Sequence, residues 1–301
     1  MMAEKKKLDN RIEIAEGVSL SRICAGCMRL GGMKSEELRI FVERCLELGV
    51  DTFDHAPVYG SHTVEAFFGE SLLLNNSSMR AKIKLVTKTG IILRKPGSNN
   101  AKHYNSSAAN IRAELEQSLQ KLKTDRIDLL LIHRPDPLMN IEETGAVLDD
   151  LVKSGKVLSV GVSNFSVSGF SALQSRMQTP LAVNQVELSI KSTENIFNGL
   201  MDNALERDLP LMAWSPLGGG SVFSCQNEQL CSAIKNIADE LGLAPDTLLY
   251  AWLLRLPAKV IPITGTSKIE RIQAAVKALD ITLSYDHWYH ILAASRGFDV
   301  P

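Results

Sequence analysis

Nothing in the sequence approaches the ~18 consecutive apolar residues that a membrane span requires. The first residues, Met1-Met-Ala-Glu-Lys-Lys-Lys-Leu-Asp9, bring charge with no apolar stretch behind it, so a secretory leader is not expected and the cytoplasm is the expected compartment. An excess of one charge is missing too. Lys and Arg number 33 against 34 Asp and Glu, a net charge of -1 at pH 7, which gives no electrostatic claim on nucleic acid or an anionic membrane and leaves a small molecule as the expected partner. Cysteine is scarce: five residues at irregular spacing argue against a disulfide framework. Cys24-Ala-Gly-Cys27 has the C-x-x-C form, but an extended segment from Leu20 to Leu30 puts the two Cα atoms ~10 Å apart, beyond disulfide reach. Cys225 and Cys231 are too loosely spaced to complete a zinc site with that pair, and buried free thiols are expected. The glycine fingerprint of a doubly wound dinucleotide fold is also lacking, since the turn after the first apolar run reads Cys27-Met-Arg-Leu-Gly-Gly-Met33.

What the sequence does have is alternation. Eight short apolar runs rich in β-branched residues recur along its 301 positions: Arg22 to Met28, Val50 to Asp54, Ile83 to Lys88, Ile127 to His133, Val157 to Ser163, Ala182 to Glu187, Leu209 to Ser215 and Val260 to Thr264. Stretches with helical period and length lie between them. Ser35 to Leu48 puts Leu38, Phe41, Val42, Cys45 and Leu48 on one face, with Ser35 as the N-cap and Gly49 placed to end it. Ser107 to Leu122 and Glu142 to Val152 open on capping residues, and Ala244-Pro-Asp246 leads into a helix over Thr247 to Leu254. Ile127-Asp-Leu-Leu-Leu-Ile132 is apolar on both faces, as a parallel strand is when helices cover one side and a barrel interior the other. Eight β-then-α units with no Pro/Gly/Ser-rich linker predict an α/β fold, a single (β/α)8 TIM barrel domain over residues 1–301 rather than two domains of ~150 residues. Arg11 to Leu20, alternating about Glu16-Gly17, predicts a short β-hairpin ahead of it.

Active sites of such barrels lie at the C-terminal ends of the strands. The second run ends at Asp54, with Tyr59 in the loop that follows; the third ends at Lys88 and the fourth at His133. All four side chains should converge on one mouth. An ammonium at the inner end of a strand is costly without a paired carboxylate, and Asp54 can pair with Lys88. A nearby cation lowers a tyrosine's pKa, which would make Tyr59 a usable proton donor, and His133 can donate a hydrogen bond to a carbonyl oxygen. Such a site lacks a nucleophile. A hydride carrier would supply the missing reagent and suit carbonyl reduction.

Asp51-Thr-Phe-Asp-His-Ala-Pro-Val-Tyr-Gly60, Val86-Thr-Lys88, Asp128-Leu-Leu-Leu-Ile-His133, Gly161-Val-Ser-Asn164, Asn184-Gln-Val-Glu187 and Ser215-Pro-Leu-Gly218, in this order along nearly the whole chain, resemble the motifs of the aldo-keto reductase superfamily. Within it the chain is most similar to bacterial oxidoreductases and to the branch that includes potassium-channel β subunits. The resemblance implies a barrel using NADP(H), with Asp54, Tyr59, Lys88 and His133 as a catalytic tetrad. It places Ser163, Asn164 and Gln185 at the nicotinamide carboxamide, Trp214 against the nicotinamide ring, and Ser215, Pro216, Leu217, Gly218, Gly219 and Gly220 beside the pyrophosphate. Gly265, Thr266, Ser267, Lys268 and Arg271 fall where a 2′-phosphate is held, with Cys27, Met28 and Asp54 also beside the cofactor. The chain departs from the family pattern at Ile263, where many relatives have Lys, and at Ala274-Ala275, which replaces a Glu-Asn pair. Ile91 to Ser107, Leu217 to Glu228 and Trp288 to Pro301 are expected as loops above the mouth that select the substrate, the first of them long enough for a lid. Two other readings share these residues: an NADPH-binding regulatory or sensing subunit with little turnover, and a metal-dependent hydrolase using Asp54, His55 and His133.

Overall fold

In the computed structural model, which describes residues 7–94, 97 and 99–301, eight parallel strands close into a barrel. They are β1 (Cys24–Gly26), β2 (Thr52–Asp54), β3 (Lys84–Thr89), β4 (Leu129–Ile132), β5 (Val160–Ser163), β6 (Leu181–Glu187), β7 (Leu211–Trp214) and β8 (Val260–Thr264). Each neighbours its predecessor, and β8 returns to β1 by pairing Ile263 with Cys24 and Thr264 with Ala25. The fold is the predicted (β/α)8 barrel. Side chains alternate along the strands: Leu129 and Leu131 of β4 join an inner cluster with Val86, Val183, Met212 and Ile261, while Leu130 and Ile132 join the larger layer beneath the helices. Apolarity on both faces follows directly from this two-sided burial.

The hairpin is present as Arg11–Ala15 paired antiparallel with Val18–Ser21. Its Ile12, Ile14, Val18 and Leu20 pack into the inner cluster and plug the N-terminal end of the barrel. Helix capping differs from expectation at one start. The helix Ser35–Glu47 is preceded by Lys34 as its cap residue, so Ser35 is the first helical residue and not the cap, and the Glu37 carboxylate accepts the Lys34 N–H at 2.9 Å. Ser107 and Asn140 cap Ala108–Leu122 and Ile141–Lys153 with their side-chain oxygens, and Pro245 occupies the first turn of Pro245–Leu254.

Two further expectations are corrected. The segment from Trp288 begins inside a helix, Tyr285–Arg296, not in a mouth loop: the Trp288 ring stacks on Trp252 with centroids 4.9 Å apart, and each indole N–H donates to the other's carbonyl oxygen. Cys24, Cys27 and Cys45 are buried free thiols, but Cys225 and Cys231 are bonded, their Cα atoms 5.5 Å apart. Cys225 is in the left-handed conformation (φ 52°), which turns the chain back onto the start of helix Glu228–Leu241 and brings Cys231 within reach. Among the described residues no helix is long and apolar enough to cross a membrane.

Candidate active site

β2 ends on Asp54, Lys88 lies one residue before the end of β3, His133 follows the last residue of β4, and Tyr59 opens the turn after β2. Inward alternation brings these side chains to one level of the mouth. The Lys88 ammonium lies 2.8 and 2.7 Å from the Asp54 oxygens, donates to the His55 carbonyl at 2.8 Å and sits 3.3 Å from the Tyr59 hydroxyl. Gln185 Nε2 holds the same carboxylate from β6, donating to Asp54 Oδ1 at 2.9 Å. Lys88 is 1% exposed and Asp54 2%. Burial opposes the lysine's charge, but Asp54 and Tyr59 outweigh it and raise the Lys88 pKa above its usual value.

Tyr59 differs from expectation. Burial is the largest influence on its phenol and exceeds the lowering by Lys88, so the pKa rises and Tyr59 keeps its proton through neutral pH. The ring meets His133 edge-on, centroids 6.4 Å apart and planes at 84°. Burial, with the positive charges of Lys88, Arg134 and Lys102, pulls His133 down to about 2, which leaves a neutral imidazole that donates one hydrogen bond. Gly60 makes the turn after Tyr59 possible: its φ is +55°, and a Cβ there would fall 2.8 Å from both Thr63 and Val64.

These groups open onto a cleft of about 340 Å³. Of the residues expected around a dinucleotide, Met28, Asp54, Ser163, Asn164 and Gln185 line it, as do Trp214, Ser215, Pro216, Leu217, Gly219, Gly220, Gly265, Thr266 and Arg271. Cys27 does not, being fully buried in the outer layer with its thiol turned to the Ala25 carbonyl. Gly218, Ser267 and Lys268 also lie outside the cleft wall, Lys268 at the cap of helix Ile269–Lys277 with its N–H on the Thr266 hydroxyl. A polar chain runs along the floor: Trp214 Nε1 donates to Asn164 Oδ1 at 3.0 Å, Asn164 Nδ2 to Ser163 Oγ at 2.7 Å, and Ser163 Oγ to the Gln185 carbonyl at 2.9 Å. Gly219 and Gly220 have positive φ, and no atom lies within 4 Å of a Cβ built on either, so the backbone there can meet a ligand closely. A flat indole beside fixed amides, a bare glycine turn, and Arg271 near a helix start together fit a dinucleotide.

The family model described as the aldo/keto reductase family matches residues 22–296. The chain belongs to the aldo/keto reductase family. It is 42% identical over 295 residues to a 6-dehydroglucose reductase of Agrobacterium fabrum, covering 96% of this chain and 99% of that one. It is also 42% identical over 299 residues to the oxidoreductase YcsN of Bacillus subtilis, covering 97% and 99%. Among solved structures, an aldo/keto reductase of Klebsiella pneumoniae in complex with NADP and acetate superposes with a TM-score of 0.77 at 24% identity, covering 98% of this chain and 97% of that one.

Several cleft residues of this aldo/keto reductase escaped the sequence reading. Gly26, Arg29, Arg134, Tyr250 and Thr264 all line it, as does Ile263, the position noted as a departure from the family pattern. Arg134 and Thr264 sit at strand ends and could have been found by the rule that found His133. Gly26 lets β1 and β8 approach, since a Cβ on it would fall 3.0 Å from Ile263 Cγ2. Arg29 donates to the carbonyls of Gly265 and Gly219 at 3.1 and 3.4 Å and so braces two loops, a role that only tertiary structure shows. The segment expected as a lid is pinned at its base, where Ile91 and Ile92 pair with Tyr104 and His103; residues 95, 96 and 98 within it lie outside the described residues.

Among the described residues His55 belongs to no group of three His, Cys, Asp or Glu side chains that could hold an ion. Its ring is fully buried edge-on against Phe68, with centroids 4.5 Å apart and neither nitrogen hydrogen-bonded among the described residues. Burial lowers its pKa to about 3 from the ordinary 6.5. The unfolded chain therefore takes up a proton that the folded chain refuses; stability is full above about pH 6.5 and falls as pH drops toward 3. At pH 4.5 the loss is on the order of 3 kcal/mol. His55→Phe should make the fall in Tm between pH 7.5 and 4.5 smaller by about 5 °C, and an unchanged fall would show that the ring is not the acid-sensitive group.

Proposed function

We propose that the chain, one domain over residues 1–301 acting in the cytoplasm, is an NADPH-dependent oxidoreductase that reduces aldehyde or ketone groups of small molecules to alcohols. The observation that carries this reading is the buried Lys88 ammonium, fixed by both Asp54 oxygens and 3.3 Å from the Tyr59 hydroxyl at the open end of the barrel. NADPH, when bound, supplies a hydride to the carbonyl carbon. Tyr59 gives its proton to the carbonyl oxygen, Lys88 stabilises the phenolate left behind, and Asp54 with Gln185 keeps Lys88 in place. Neutral His133 orients the carbonyl by a hydrogen bond. Trp214 offers a face to the nicotinamide, Ser163, Asn164 and Gln185 its amide partners, and Arg271 a cation for the 2′-phosphate. The Agrobacterium relative is named for a sugar aldehyde, which supports an aldehyde among the substrates. The complete tetrad favours turnover over a purely regulatory role.

Quenching of protein fluorescence on titration with NADPH and NADH tests the cofactor site directly. NADPH is expected to bind more tightly, and Arg271→Met to weaken NADPH about tenfold or more while NADH binding changes little, which narrows the ratio between the two. Equal affinities in the wild type would remove the 2′-phosphate site from the proposal. Failure to reduce any of a panel of aldehydes while still binding NADPH would favour the sensing subunit instead.

A further inference from the structure

Arg134 follows His133 directly and lines the cleft. Its guanidinium carbon lies 5.6 Å from the centre of the Trp214 ring, so the side chain reaches from the end of β4 toward the end of β7. The residue is only partly exposed, and among the described residues no carboxylate pairs with it. The nearest acid in sequence, Asp136, is engaged elsewhere: it accepts the N–H and hydroxyl of Ser106 at 3.0 and 2.9 Å and the Leu138 N–H at 2.9 Å. Lys102, like Arg134, lowers the His133 pKa through its positive charge.

A partly desolvated guanidinium against an indole is tolerated, but its fork of donors is left unused. Oxyanions match that fork, because carboxylate and phosphate accept two parallel N–H bonds from it. The positive charge of Arg271 lies in the cleft wall in the first turn of helix Ile269–Lys277, with Lys268 at that helix's cap outside the wall, and both belong to the side proposed for the dinucleotide. Arg134 stands beside the tetrad instead, where the substrate must enter.

We propose that Arg134 anchors an anionic group, a carboxylate or phosphate, of the carbonyl substrate, and so makes this reductase selective for acidic aldehydes or ketones. The inference rests on the reductase reading and adds a substrate class to it. Reduction of 4-carboxybenzaldehyde and of its neutral methyl ester, methyl 4-formylbenzoate, compares the charge at nearly constant size and carbonyl reactivity. Wild-type enzyme should favour the acid in kcat/KM, the preference should shrink as salt rises, and Arg134→Gln should lower the acid-to-ester ratio about 10- to 100-fold, chiefly through KM. Arg134→Lys should restore part of the ratio, which a merely structural role for the side chain would not do. A wild-type enzyme that reduces both compounds equally well, or a variant that loses both in proportion, overturns the inference and leaves the reductase reading intact. Turnover of neither compound counts against the reductase reading, and calorimetric titration with 4-carboxybenzaldehyde then still decides Arg134: binding lost in Arg134→Gln upholds the anchor, and binding equal in both proteins refutes it.

Discussion

Tyr59→Phe is expected to bind NADPH as the wild type does and to lose about 10²- to 10⁴-fold in carbonyl reduction. The substitution removes one oxygen. That oxygen is 3.3 Å from Lys88 Nζ, while Lys88 keeps its shorter bonds to Asp54 and the His55 carbonyl, so the ammonium stays where it is. The phenyl ring can retain the edge-on contact with His133. Loss should therefore appear in kcat rather than in cofactor binding, because the proton matters only as charge develops on the carbonyl oxygen. The wild-type rate of reduction should also be flat between about pH 5 and 9: burial keeps Tyr59 protonated above its ordinary value, and His133 stays neutral down to about 2. Alkaline pH, which strips Tyr59, should end it. Retained turnover in Tyr59→Phe would move the acid to His133, and the rate would then follow that imidazole.

The polar tetrad was legible because one rule covers it. In a parallel barrel every strand delivers its last inward side chain to the same rim, so Asp54, Lys88 and His133 could be brought together from strand ends alone. Ser163, Gln185 and Trp214, which came from the resemblance to the family rather than from this rule, share a hydrogen-bonded floor through Asn164. What the rule does not weigh is depth. Whether Lys88 lowers the Tyr59 pKa depends on a contest between a nearby cation and desolvation, and the sequence names the cation but not the burial. Helices hid other features. Cys231 faces Cys225 only because the chain reverses into a helix between them, and Trp288 leaves the mouth because its helix docks on Trp252. Arg29 reaches Gly219 and Gly265 across gaps of 190 and 236 residues, which no local pattern encodes.

Removing one partner of the Lys88–Asp54 pair should cost more than removing both. With Lys88 1% and Asp54 2% exposed, Asp54→Asn leaves a buried ammonium without its carboxylate, and Lys88→Met leaves a carboxylate held, among the described residues, by Gln185 alone. Either single change is expected to cost about 3–5 kcal/mol of stability, whereas the double variant, which buries no charge, should melt closer to the wild type than either. All three should be inactive in reduction, so stability and catalysis separate. The pH response carries the cause. In the wild type the folded-state pKa of Lys88 is raised, so the pair's contribution is full at neutral pH and is lost as pH climbs past the unfolded value of 10.5. In Asp54→Asn, burial, the largest influence, is opposed only by Tyr59 and is expected to depress that pKa, so the unfolded chain binds the extra proton and stability should rise with pH over the neutral to alkaline range. A slope that rises with pH in Asp54→Asn, against a flat one in the wild type, in urea unfolding between about pH 7 and 10 would locate the penalty in the lysine's charge. Parallel slopes, or a double variant as unstable as the two single losses added together, would mean that Asp54 serves packing rather than the ammonium, and the account of how Tyr59 is supported would have to be rebuilt on His133.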